Sequence, residues 1–179
     1  AFYELVYVLS GQCSITFESA RLELISGDFL MIAPNYSHQI GVFDDDSIVI
    51  NILIRSSTLL DIFLNAIRDK TLISRFLLSH TYGGKTFSYL LFHTRNDFMI
   101  RNYILDIYIE LDKTDDYSKR IAASLITILF TQLVRHYSDT ADMPDMRRRD
   151  NIYLSKVMNY ILEHYADCTL ESISRHLHF

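Results

Sequence analysis

The sequence predicts an α+β protein in which an antiparallel β-sandwich or barrel comes first and helices follow. Three observations predict it. Short β-branched and aromatic runs fill the first third at close, regular spacing, a pattern that suits antiparallel sheets better than βαβ units. From position 57 the apolar period lengthens from two to about 3.6 residues. The composition, 49% apolar and 22% charged with five Gly and two Pro in 179 residues, belongs to a compact globular chain and excludes disorder and low complexity.

The expected strands are residues 3–9, 13–17, 22–25, 29–33 and 48–54. Ser10-Gly11, Ser26-Gly27-Asp28, Pro34-Asn35 and Asp44-Asp45-Asp46 separate them. These residues supply the positive φ angles or side-chain-to-backbone bonds that turns need. Behind the Ser56-Ser57-Thr58 start signal, Leu59, Leu60, Phe63, Leu64 and Ile67 recur at helical spacing, which predicts a helix. After Tyr82-Gly83-Gly84-Lys85 a last strand is expected over 87–93, bounded by Asn96-Asp97. Two amphipathic helices follow: Ile100, Tyr103, Ile104, Ile107 and Leu111 stripe the first, and Ile121, Leu125, Ile128, Leu129, Gln132 and Leu133 the second. The polar stretch 138–150, poor in core formers, reads as a linker. A helix with Leu154, Val157, Met158, Ile161, Leu162 and Tyr165 on one face comes next, then a short helix that Thr169 caps and that buries Leu170, Ile173 and Leu177.

Charge is uneven. Residues 1–54 hold seven acids and one base, 55–117 eight of each, and 118–179 seven acids and eight bases. The acidic first third is unsuited to tracking phosphates, whereas the last part, with Arg147-Arg148-Arg149, is not repelled by them. Cys13 and Cys168 stand at opposite ends of the sequence, which fits a reducing compartment rather than a disulfide framework or a zinc site. No apolar run reaches the about 18 residues of a membrane span, and no signal segment opens the chain. The expected location is the cytoplasm, with no membrane partner. No nucleophile elbow, phosphate loop or telling carboxylate pair is present, so neither an enzyme nor a cofactor is expected.

Two stretches carry a family resemblance. Tyr3-Glu-Leu-Val-Tyr-Val-Leu-Ser-Gly11, then Ser26-Gly-Asp-Phe-Leu-Met-Ile-Ala-Pro34 and His38, resemble the N-terminal cupin-like barrel of AraC/XylS-type transcription regulators. Residues 160–178, Tyr-Ile-Leu-Glu-His-Tyr-Ala-Asp-Cys-Thr-Leu-Glu-Ser-Ile-Ser-Arg-His-Leu-His, resemble the opening of that family's DNA-binding domain. The resemblance implies a cupin-like effector-binding barrel (jelly-roll) over 1–95 with a helical insertion near 57–80, a helical dimerisation region over 96–138, a linker over 139–150, and the truncated start of a helix-turn-helix domain over 151–179. In the family the helix that enters the major groove lies beyond that point. The DNA-contacting residues are therefore unknown, and DNA is an expected partner only through the complete C-terminal domain.

His38 falls where a cupin His faces the barrel interior. It has three readings: a metal ligand, a hydrogen-bond partner of a small effector, or a structural His at a strand end. Glu4 matches the Glu of the metal-binding cupin pattern, but a transition-metal site needs three or four ligands and the segment offers two, so no metal is expected. Glu4 shares a strand face with Val6 and Val8, opposite Tyr3, Leu5 and Tyr7. A carboxylate among valines needs a partner, and a ligand hydroxyl is one; a solvated strand end is the other reading. Asn51, the one polar residue of 48–54, poses the same question in a buried setting. Tyr36 either walls a pocket or packs. The expected effector site is thus His38, Glu4, Asn51 and Tyr36, for a small polar metabolite, a sugar by family analogy.

Large apolar helical faces usually meet a partner, and two-fold dimers are the commonest closed assembly. A homodimer is expected through Ile104, Ile107, Leu111, Leu125, Leu129 and Leu133. A metal-dependent cupin enzyme and a ligand-free dimerisation module are the competing readings.

Overall fold

The structure, a computed structural model, describes residues 1–63, 71–81, 87–144, 160, 164 and 168–177. Strands β1 (Phe2–Ser10), β4 (Asp28–Ile32), β6 (Ile48–Arg55) and β7 (Tyr89–His93) form a sheet in the order β6-β1-β4-β7. Strands β2 (Gln12–Phe17), β3 (Arg21–Ile25) and β5 (His38–Gly41) form a second sheet in the order β3-β2-β5. All pairings are antiparallel. The expected barrel is realised as a cupin-like sandwich of two separate sheets, with β5 and β6 both at sheet edges.

The period-two alternation of β1 divides the protein into two cores. Val6 and Val8 join Leu30, Ile32, Tyr89 and Leu91 of the four-stranded sheet to Cys13, Ile15, Phe17 and Leu24 of the other. This is the interior of the sandwich. Tyr3, Leu5 and Tyr7 point the opposite way, into a larger core with the helices. Those helices are α1 (Ser56–Phe63), α2 (Leu72–Thr81), α3 (Phe98–Asp112) and α4 (Ser118–Tyr137), with a 3-10 turn at Ser138–Thr140. Phe130 of α4 is the hub of the helix-side core, its ring 4.9 Å from Phe63 and 6.3 Å from Phe29. Tyr3 is buried there with its hydroxyl donating to the Leu77 carbonyl at 3.2 Å.

The turns lock the two layers together. Gly27 has φ +90, and a Cβ there would stand 2.2 Å from the Asn96 backbone nitrogen. Only glycine admits that close approach of the β3–β4 turn to the β7–α3 turn. Thr94 N–H donates to the Gly27 carbonyl at 3.1 Å, and Gly27 N–H to Val8 at 2.9 Å. Asp97 then caps α3, its Oδ1 accepting from the Met99 and Ile100 N–H groups at 2.7 and 3.3 Å, while Oδ2 accepts from the Tyr137 hydroxyl at 2.6 Å. One carboxylate therefore ties the start of α3 to the end of α4.

The structure departs from the sequence reading in four places. β5 was not expected: its four residues include one β-branched side chain and a glycine, so only its pairing with β2 defines it. The segment after α1 contains a separate helix, α2. The start of the expected linker is docked rather than free, since Asp142 exchanges backbone hydrogen bonds of 2.9 and 2.8 Å with Leu91 and Met143 is buried. That bridge satisfies backbone groups at the exposed edge of β7. Finally, Ile104, Ile107, Leu129 and Leu133 are buried in the helix-side core of their own chain, so they are not available to a partner. Leu125 packs half-buried on that core, and of the six residues expected at a dimer interface only Leu111 is exposed.

The expected helix over the stripe from Leu154 to Tyr165 and the Arg147-Arg148-Arg149 run lie outside the described residues. The next helix, α5 (Leu170–Leu177), is capped as expected. Thr169 Oγ1 accepts from Ser172 N–H at 3.1 Å, and Ser172 Oγ accepts from Thr169 N–H at 3.0 Å. This reciprocal pair satisfies two amide donors at the helix start.

The Tyr137 hydroxyl, followed by the Met99 and Ile100 amides, holds the Asp97 carboxyl below its ordinary pKa. Such a group stabilises the fold at pH values above its unfolded value of about 4, and that stabilisation is lost as pH falls through the lower folded value. Asp97→Asn keeps a capping oxygen but removes the charge. Urea denaturation from pH 7 to pH 2 should therefore show a stability deficit of the variant that narrows in the acid range; a deficit independent of pH would assign the effect to something other than the charge.

Candidate functional site

Register brings the polar residues together. Glu4 pairs with Ile32 on β4 and Leu53 on β6, and Asn51 pairs with Val6. Cross-strand partners share a face, so Glu4 and Asn51 both lie on the inner face of the four-stranded sheet. His38 pairs with Phe17 in the other sheet. The two sheets meet where Glu4 Oε2 stands 3.1 Å from His38 Nε2, while Glu4 Oε1 accepts from Asn51 Nδ2 at 2.5 Å.

The tautomer follows from the contacts. His38 Nδ1 is 3.1 Å from the Tyr36 carbonyl, which can only accept, so Nδ1 carries a hydrogen. The Nε2 edge of the ring therefore faces the Glu4 carboxylate within ion-pair distance. The His38 and Glu4 side chains are 14% and 15% exposed, and at this burial a carboxylate needs such partners.

The floor beside the pair is aromatic. The Phe17 and Tyr89 rings stack at 5.3 Å with 21° between planes, and Phe17 lies 5.8 Å from the His38 ring. Both residues, with Ile32, are buried. Neither was singled out from the sequence. The signal for Phe17 was its place opposite His38, legible only once β5 is known to be a strand.

Two of the expected residues sit differently. Asn51 is exposed rather than buried, because β6 is an edge strand. Tyr36 gives the site its backbone carbonyl, while its ring packs on the helix-side core, 6.0 Å from the His80 ring. His80 itself is set among Tyr3, Tyr36 and Phe76, and burial pushes its imidazole below the ordinary pKa, against the Phe76 carbonyl that acts to raise it.

Chemically, the arrangement offers a carboxylate, an amide and an imidazole beside an aromatic surface, a set that recognises hydroxyl and amine groups. Glu4 and His38 direct their ligand atoms at each other rather than at a common point. Among the described residues no group of three or more His, Cys, Asp or Glu is placed to hold a metal ion.

Two antiparallel sheets enclosing a polar pair, with helices stacked on one outer face, define a cupin-like domain. Residues 1–91 match the family model described as the AraC-like ligand binding domain, and the chain belongs to that family as the ligand-binding region of an AraC-type transcription regulator. The fold is similar to that of apo ToxT K231A from Vibrio cholerae strain SCE256, with a TM-score of 0.54 and 12% identity over 98% of this chain and 62% of that one. The AraC-like transcriptional activator CuxR aligns with a TM-score of 0.45 and 15% identity over 99% of this chain and 57% of that one. The chain thus spans less than two thirds of either protein. A comparison of the sequence with curated proteins finds no match. Among the described residues no helix is long and apolar enough to cross a membrane.

The geometry predicts coupling between Glu4 and His38. In a double-mutant cycle of Glu4→Gln and His38→Gln, read by chemical denaturation, an interaction energy of about 0.5 to 3 kcal/mol is expected for groups in direct contact. Additive effects would mean that the two side chains do not interact.

Proposed function

We propose that this chain is the effector-sensing and dimerising region of an AraC-type regulator that acts by binding rather than catalysis, in the cytoplasm, and reaches DNA only through a complete C-terminal domain. The effector is a small polar metabolite, with sugars the first class to test, bound at Glu4, His38 and Asn51. The observation that carries this reading is the Glu4 carboxylate held between Asn51 of one sheet and His38 of the other. A ligand hydroxyl that takes over one of these partners changes what joins the two sheets. An effector with different affinity for the two arrangements shifts their populations, and that difference is the coupling available to the rest of the protein.

A second reading, an apolar carboxylate as effector, is favoured by a cavity of about 330 Å³ between α1, α2 and α4. Phe63, Ile73, Phe130 and Val134 supply its apolar wall, and Arg135 supplies a guanidinium. A thermal-shift panel of sugars, polyols, amines and fatty acids separates the two. A bound effector at 100 times its dissociation constant should stabilise the protein by about 2.7 kcal/mol. The first reading expects a hit abolished by Glu4→Gln; a hit that survives Glu4→Gln but is lost in Arg135→Gln belongs to the helix-side cavity and sinks the first reading.

The dimer is proposed through the outward faces of α3 and α4. Phe98, Ile109, Ile121 and Ile128 are exposed at helical spacing on the sides opposite the buried stripes, and apolar surface of this kind marks interaction sites. Light scattering at micromolar concentration should give twice the chain mass, and Ile121→Asp should give a folded monomer whose thermal midpoint no longer depends on protein concentration. A wild-type monomer would remove this assembly.

A further inference from the structure

We propose that a groove at the opposite end of the sandwich from Glu4 is a second ligand site, for a small metabolite bearing an oxyanion such as a phosphate or carboxylate. Glu4 is level with Ile32, whereas the groove is built on Asp28. Four residues of strand separate the two levels, about 13 Å, so the sites do not share side chains.

Three elements converge on the groove: the β3–β4 turn, the end of β7 with the turn after it, and the C-terminal end of α4. Among the described residues Asp28 is the one carboxylate in the lining, and it is 4% exposed. Both its oxygens are engaged. Oδ2 accepts from the Ile25 N–H at 2.9 Å, and Oδ1 accepts from His93 Nδ1 at 2.8 Å. The buried carboxylate therefore fixes the imidazole and turns Nε2 away from itself, on a side chain 46% exposed. A carboxylate behind a histidine sets which ring nitrogen is presented to the groove.

Arg95 lines the same groove with φ +50, followed by Asn96 at φ +60. Two consecutive non-glycine residues in the left-handed region are uncommon. Here Asn96 is held by Ser26 Oγ, which donates to its Oδ1 at 2.6 Å. Among the described residues the Arg95 guanidinium has no carboxylate partner. His136 lines the groove from α4. The neighbouring hydroxyls are turned to protein acceptors: Tyr137 donates to Asp97, and Thr140 to the Tyr137 carbonyl.

The groove thus gathers a guanidinium without a carboxylate partner among the described residues and two imidazoles, in a domain whose first 54 residues contain a single base. Planar guanidinium donors match phosphate and carboxylate oxygens in pairs. The volume, about 420 Å³, suits a metabolite rather than a bare ion.

The test is NMR of the histidine rings during separate titrations with inorganic phosphate and with acetate, sodium chloride holding ionic strength constant. The expected result is saturable shifts at His93 and His136 but not at His38. In Arg95→Asn, chosen because Asn tolerates positive φ, half-saturation should move up about tenfold or more, the worth of a lost charged hydrogen bond. Glu4→Gln should leave the titration unchanged. Shifts with phosphate only, or with acetate only, support the site and name the class of oxyanion. Shifts equal to those in chloride alone, or unaltered in a folded Arg95→Asn, overturn it.

Discussion

The double burial of β1 constrains everything else. The second sheet covers one face of this central strand and the helices cover the other, so the side chains along its middle must find partners in one of two cores. Tyr3, Leu5 and Tyr7 commit the outer face to helices, and Val6 and Val8 commit the inner face to the second sheet. A one-residue slip of register would exchange the two sets and leave tyrosine rings between the sheets. Glu4 is the exception within this pattern. Its position is tolerable because the sandwich ends there, where Asn51 and His38 reach it.

The helices answer the same constraint from outside. Four-stranded sheet and helices are joined by aromatic packing around Phe130 and by Asp97, which caps one helix and accepts from the last residue of another. Burial and its Asp97 partner push the Tyr137 phenol up to about 12, so at neutral pH it is a donor, as the bond requires. The inward stripes of α3 and α4 are consumed in this packing. The apolar side chains left outward are a different set, and they are the ones that can meet a second chain.

Polar side chains are concentrated where the sheets end. At one end Glu4 links the two sheets; at the other, Asp28 orients His93 beside Arg95 and His136. In both places a carboxylate withdrawn from water acts on a histidine rather than on solvent. The difference lies in what stands beside the pair: aromatic rings and an amide at the first, a guanidinium and a second imidazole at the second. Both sites use inner-face strand residues, and the second adds the turn after β7 and the end of α4.

Much of this was legible in the sequence. Period-two alternation in residues 3–9, the turn residues around Gly27 and the stripes of 100–111 and 121–133 identified six of the seven described strands and both long helices, because each signal is local. The opposition of Glu4, Val6 and Val8 to Tyr3, Leu5 and Tyr7 needed only the pleat of a strand. What periodicity does not contain is which apolar face meets which. Ile104 and Leu129 have the same pattern whether they pack on their own sheet or on a partner, and Asn51 reads as buried until β6 is known to be an edge. β5 is too short to announce itself and exists through its ladder with β2. The sequence by itself determined the elements and the residue types at each site; tertiary structure decided their partners, since hydrogen bonding between sheets and burial between layers join residues tens of positions apart.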